Sequence, residues 1–168
     1  PELLDLMAKA GFVDVFIGIE TPNPASLVEC NKKQNSQRDL ISNINVIQNH
    51  GMQVMAGFIV GFDSDTPDIF DQMISFIQES GIVTAMVGLL QAPFGTKLYE
   101  RLKIEGRIIR EMSGDNADGT TNIATKILPE TLKNGYFRIM ESIYSPELLY
   151  PRIKTFLLQF QPVQQRLT

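Results

Sequence analysis

Apolar residues recur along the chain in a phrase used three times: a stripe at helical spacing, a glycine, then a short apolar run. Leu3, Leu6, Met7 and Ala10 lead through Gly11 and Phe12 into Val13-Asp14-Val15-Phe16-Ile17. Leu40, Ile41, Ile44 and Ile47 lead through Gly51 and Met52 into Val54-Met55-Ala56-Gly57-Phe58-Ile59-Val60. Ile69, Phe70, Met73, Ile74 and Ile77 lead through Gly81 into Ile82-Val83-Thr84-Ala85-Met86-Val87. Spacing at i, i+3, i+4 and i+7 predicts one apolar stripe per helix. Each glycine stands where the chain leaves a helix through a left-handed residue. The runs that follow are too short for helices and lack clean polar alternation, which predicts strands buried on both faces. Helix and strand in alternation, at the length of an α/β unit, predict a parallel sheet with right-handed crossovers. Three strands do not close a barrel. The expected fold class is therefore α/β, a partial (half) TIM-like barrel of about three parallel βα units followed by a small helical segment.

The intervening residues complete the plan. Asn23-Pro24-Ala25-Ser26 opens a short helix through Cys30, and Lys33-Gln34-Asn35-Ser36 reads as a loop. Asp65-Thr66-Pro67-Asp68 offers a cap, a first-turn proline and early acids for the third long helix. Ala92-Pro93-Phe94-Gly95-Thr96 is a turn before a helix through Leu98, Tyr99 and Leu102 that Gly106 closes. Residues 113–128, small, polar and glycine-bearing at their start, read as a linker or mobile loop between a barrel portion (1–112) and a helical segment (129–168). That segment contains two helices, from Pro129 and from Pro146, and the tail to Thr168 is expected to fray.

Composition narrows the chemistry. Net charge −4 argues against a nucleic-acid partner, which would need clustered Lys and Arg. No apolar run reaches the roughly 20 residues of a membrane span, and the expected setting is cytoplasmic. The single cysteine, Cys30, excludes a disulfide framework and any cluster held by several thiolates of this chain. The chain opens on Pro1 rather than Met, which suggests a piece of something longer. No metal site is expected, and no catalytic residue stands out.

Working residues of parallel α/β folds gather at the C-terminal ends of strands. Here those ends are Gly18-Ile19-Glu20-Thr21, Gly57-Phe58-Ile59-Val60-Gly61-Phe62-Asp63 and Leu90-Gln91-Ala92-Pro93. Glu20 follows an apolar strand directly and shares the pleat face of Asp14, Phe16 and Gly18. Its carboxylate either meets water, caps the next helix, or accepts hydrogen bonds from a diol such as ribose. Gly57 and Gly61, four apart on one face, either allow tight packing or leave bare main chain for a planar ligand. Lys32 and Lys33 are solvated cations or a clamp for a carboxylate or phosphate. Asp63 and Asp65 read as caps of the following helix, His50 as a helix C-terminal charge, and Cys30 as an inert thiol.

Taken in order, Gly18-Ile19-Glu20-Thr21, Asn31-Lys32-Lys33-Gln34-Asn35, Gly57-Phe58-Ile59-Val60-Gly61-Phe62-Asp63 and Ala92-Pro93-Phe94-Gly95-Thr96-Lys97-Leu98-Tyr99 resemble the second half of the radical S-adenosylmethionine (radical SAM) barrel. The nearest likeness is to the branch in which a cobalamin-binding domain precedes the barrel. The resemblance covers residues 1–108, with a weaker likeness of the segment from Pro129 to the domain that follows such barrels. It implies S-adenosylmethionine and a 4Fe-4S cluster as cofactors, cobalamin in an upstream domain, and an electron donor as partner. It further implies radical methylation or oxidative cyclisation of a small-molecule substrate whose identity is not readable. Carried over by position, Glu20 would hold the ribose hydroxyls, Lys32 would approach the methionine carboxylate, and the Gly57-x-Ile59-x-Gly61 strand would offer its backbone to the adenine. Where the family often has an acid three residues after the second glycine this chain has Ser64, with Asp63 one position early. The CxxxCxxC cluster loop is absent, so these residues alone are expected to be inactive. Two other readings stay open: half of another α/β enzyme binding a nucleotide or phosphorylated ligand, although no Walker loop or Gly-x-Gly-x-x-Gly is present, and a non-catalytic interaction module. An open barrel edge also invites self-association.

Overall fold

A computed structural model of the protein describes residues 2–36, 39–115 and 118–162. Its order is α1 (Glu2–Lys9), β1 (Asp14–Glu20), α2 (Pro24–Glu29), α3 (Lys33–Ser36), α4 (Leu40–Asn49), β2 (Gln53–Val60), α5 (Ile69–Ser80), β3 (Thr84–Leu89), α6 (Lys97–Ile104), α7 (Pro129–Ile143) and α8 (Pro146–Gln159). The strands form one parallel sheet in the order β1-β2-β3, as the repeated phrase predicts. The tract read as a loop at residues 33–36 forms instead a single helical turn, α3. Gly81 ends α5 in the left-handed region at φ 70°, the geometry that glycine adopts without a steric penalty.

The strands are not buried on both faces. Along β2 burial alternates strictly. Val54, Ala56, Phe58 and Val60 lie under α4, α5 and α7, in one core with Ile69, Met73, Ile77, Leu132 and Ile139. Met55, Gly57 and Ile59 stay half-buried on the other, inner face. The apolar character of that inner face is what masked the alternation in the sequence.

The segment expected as a linker is fastened to the rim where it is described. Asn122 brackets the main chain of Ala92, accepting from its N–H at 2.8 Å and donating to its carbonyl at 2.9 Å. Thr121 donates to the Leu90 carbonyl at 2.5 Å. Ile123 is buried with Phe62, Leu90, Ala92 and Leu102 in a second, smaller core. Residues 116–117 of that segment, and 163–168 of the tail, lie outside the described residues. No helix among the described residues is long and apolar enough to cross a membrane.

Candidate functional site

Parallel pairing brings the three strand ends to one rim, and Glu20 stands at its lip. Pairing of β1 with β2 runs in step to Gly18 opposite Gly57, then slips so that Glu20 faces Phe58. The slip is a bulge, and Glu20 takes φ 72° there, a left-handed conformation that few non-glycine residues adopt. Ile19 continues the row of Val15 and Ile17 into the helix-covered core, while Glu20 keeps to the inner side.

Lys32, just beyond α2, reaches back to this acid. Its Nζ donates to Glu20 Oε1 at 2.6 Å and to the Gly18 carbonyl at 2.7 Å. The pair is partly wet, with side chains 32% and 20% exposed. Its position depends on Gly18: a methyl there would fall 2.6 Å from Glu20 Oε1 and 3.0 Å from Lys32 Nζ. Sequence reasoning missed Gly18, although it stands two residues before the acid on the same face.

Two cavities meet at Glu20 and Ile59. The larger, about 650 Å³, lies between the α2–α3 side and α6 and is walled by Glu20, Lys32, Ile59, Phe62, Leu98 and Arg101. The second, about 390 Å³, opens over the inner sheet face and is lined by Phe16, Gly18, Glu20, Gly57, Ile59 and Met86. Glu20, Lys32, Gly57 and Ile59 are thus brought together. Gly61 is not: at φ 104° it turns its bare side towards Leu132 of α7, and it lines neither cavity. Gly57 also has a packing role, since the Phe16 ring comes within 3.2 Å of where its side chain would begin.

The acids after β2 do not cap α5, whose N-cap, Asp68, makes no side-chain cap bond. Asp65 is buried and accepts from the Gly61 and Phe62 N–H groups at 2.9 and 3.0 Å, from Ser26 Oγ at 2.6 Å and from Asn23 Nδ2 at 3.2 Å. Burial pushes its carboxyl above the usual range, against those hydrogen bonds. Asp63 forms a fork with Arg107, whose hydrogen bonds hold the acid below the usual range. The Cys30 thiol is pushed up by burial, so it is not poised as a nucleophile. His50 Nδ1 lies 2.6 Å from the Val46 carbonyl, a structural contact on α4. Among the described residues no group of three His, Cys, Asp or Glu side chains could hold a metal ion.

An acid–lysine pair at the C-terminal rim of parallel strands, beside an apolar cavity, has the make-up of a small-molecule site. Residues 1–77 match the radical SAM superfamily, and residues 96–168 match a domain of unknown function, DUF4070. The chain is 34% identical over 153 residues to hopanoid C-2 methylase of Rhodopseudomonas palustris (strain TIE-1), an alignment covering 90% of the chain and 28% of that protein. It is 38% identical over 148 residues to uncharacterized methyltransferase sll1242 of Synechocystis sp. (strain ATCC 27184 / PCC 6803 / Kazusa), covering 86% of the chain and 27% of that protein. Identity is 24% over 156 residues with bacteriochlorophyllide d C-12(1)-methyltransferase of Chlorobaculum tepidum, covering 92% and 34%. Over residues 1–77 the chain belongs to the radical SAM superfamily. It spans between 27% and 34% of the length of these relatives.

Proposed function

We propose that this chain supplies the S-adenosylmethionine-gripping wall of a radical SAM methylase. The observation that carries the reading is the Glu20–Lys32 pair, set over Gly18 at the lip of the 650 Å³ cavity with Ile59 beside it. Glu20 accepts the two ribose hydroxyls, the task its fixed, half-buried carboxylate suits. Lys32 offers its ammonium to the methionine carboxylate. Ile59 and the main chain at Gly57 lie against the adenine. One cysteine cannot ligate a 4Fe-4S cluster, so this chain does not hold one by itself. A 4Fe-4S cluster would need thiolates from outside these residues and, when bound, would supply the electron for reductive cleavage of the sulfonium. The relatives are a methylase and methyltransferases by name, so methyl transfer is the reaction assigned, and the cobalamin that the family branch carries upstream belongs to the same reading.

The test is calorimetric binding of S-adenosylhomocysteine to the full-length, cluster-loaded protein. Losing a hydrogen-bond acceptor that carries charge costs about 1.5–3 kcal/mol, or roughly 10- to 100-fold in Kd. Glu20→Ala is expected to weaken binding by that factor. An unchanged Kd would remove Glu20 from the site.

A further inference from the structure

The segment that matches a domain of unknown function lines this cavity with Lys97, Leu98 and Arg101, and Arg101 belongs to an ionic cluster that reaches back to Lys32. Arg107 forks onto Asp63, with Nη2 to Oδ1 at 2.5 Å and Nη1 to Oδ2 at 2.9 Å. Arg101 of α6 adds Nη1 to Asp63 Oδ2 at 3.2 Å and sets Nη2 3.8 Å from Glu29 Oε1. Glu105 pairs with both arginines, at 3.5 and 3.0 Å. The fork is well shielded, the Asp63 and Arg107 side chains being 12% and 18% exposed, so solvent screens it less than an ordinary surface pair. Arg107 is itself fixed, its Nε donating to the Ala124 carbonyl at 2.8 Å.

On the far side of Asp63 the chain continues into the site. The main-chain N–H groups of Asp63 and Ser64 donate to the two carboxylate oxygens of Glu29, at 3.1 and 3.0 Å. Glu29 is the last residue of α2, three positions before Lys32. The left-handed Asn31 lies between them at φ 60°, and Lys32 holds Glu20. Asp65 ties the same loop to the start of α2 through Ser26 and Asn23. Loop 61–65 and α2 are therefore bound together at two points, and the arginines grip the loop from the opposite wall. Both positive charges come from the second matched segment, and Asp63 and Glu29, the acids they hold, from the first.

We infer that Arg107 and Arg101 are positioning residues through which the segment of unknown function sets the Glu20–Lys32 pair for its ligand. The role rests on the reading of that pair as the S-adenosylmethionine grip. Asp63, one place before the acid position of the family motif, serves as the anchor of this latch rather than as a ligand of the nucleoside.

Two readouts on the full-length protein separate the latch from the grip. The first is amide hydrogen exchange at residues 63 and 64. Arg107→Gln is expected to speed exchange there at least tenfold while leaving the β2 amides protected, a result independent of any ligand. The second is a double-mutant cycle on S-adenosylhomocysteine binding. Asp63→Asn and Arg107→Gln are each expected to raise Kd about 3- to 10-fold and together no more than either alone, with Arg107→Lys partly restoring affinity. Arg101→Gln, at a more exposed position, replaces Arg107→Gln in both readouts if the latter does not fold. Variants that lower the unfolding temperature yet leave both the exchange and the Kd unchanged would overturn the latch. If the unaltered protein does not bind S-adenosylhomocysteine while the exchange result holds, the grip fails and the latch stands as a link between loop and segment.

Discussion

Asp65 is where substitution tests the loop chemistry most sharply, because two replacements of similar size are expected to behave differently. Its Oδ2 takes the Gly61 and Phe62 N–H groups, and its Oδ1 takes Ser26 and Asn23. In Asp65→Ala two buried main-chain donors lose their partners, at about 1–3 kcal/mol each. Relief of the carboxylate's own desolvation, the cause of its raised pKa, offsets part of this. A net loss of about 2–4 kcal/mol follows, or about 5–15 °C in unfolding temperature for a domain of this size. Asp65→Asn keeps one oxygen for the two N–H groups and presents an amide that donates to Ser26 Oγ, so only the Asn23 contact is lost. Its cost is expected to stay below about 1 kcal/mol. Because the folded pKa is raised, the carboxyl's contribution is full below the unfolded value near 3.8 and is lost as pH rises through the folded value. The Asn variant, which mimics the neutral acid, should therefore gain on the unaltered protein as pH rises. Thermal unfolding followed by circular dichroism measures all three proteins. An Ala variant within about 2 °C of the unaltered protein, or an Asn variant as damaged as the Ala, would refute the hydrogen-bond argument.

Asp63 carries the opposite pH signature: its pKa is lowered, so the stability it contributes is present above about 3.8 and is lost as pH falls through the folded value. Urea midpoints across the acid range should fall less steeply in Asp63→Asn than in the unaltered protein, and equal slopes would contradict the assignment. Gly135 lies inside α7, where alanine normally stabilises a helix by about 0.5–1 kcal/mol. A methyl there would sit 2.3 Å from the buried Phe70 ring, and overpacking costs about 1–3 kcal/mol. Gly135→Ala is thus expected to destabilise, with rescue by Phe70→Leu; a stabilised single variant would show that the ring yields.

What was legible in the chain is what local sequence encodes. The helical stripes, the helix-exit glycine at 81, the short strands and the cap at Asn23 all appear where spacing places them, because each needs only neighbours within a turn or a pleat. Glu20 was visible because a carboxylate directly after an apolar strand is conspicuous. Glu20's left-handed backbone was not, since a bulge depends on the partner strand. The pairing of Asp63 with Arg107, 44 residues apart, carries no local signal. Gly61 reads as a strand-face twin of Gly57 only if the strand continues, and β2 ends at Val60 before it. Asp65 looks like a cap by spacing, yet it turns back to the preceding main chain because those N–H groups are buried and need an acceptor.

The two matched segments are parts of a single packed body, so contacts of the second extend well beyond the cavity wall that α6 supplies. Leu132, Tyr136, Ile139 and Ile143 of α7 lie in the same buried cluster as Val60 of β2 and Val87 of β3. Strand β3 is an edge, with main-chain groups that would otherwise await another strand. The Tyr144 hydroxyl answers two of them, accepting from the Ala85 N–H at 3.2 Å and donating to its carbonyl at 2.7 Å. The Asn122 amide does the same at Ala92, beyond the strand's end. Side chains of the second segment thus stand in for a neighbouring strand, while its arginines hold the loop after β2. Cores this dense transmit displacement rather than absorb it. The Arg101–Asp63 contact and the two hydrogen bonds of Glu29 form the continuous polar link from α6 to the end of α2, three residues before Lys32.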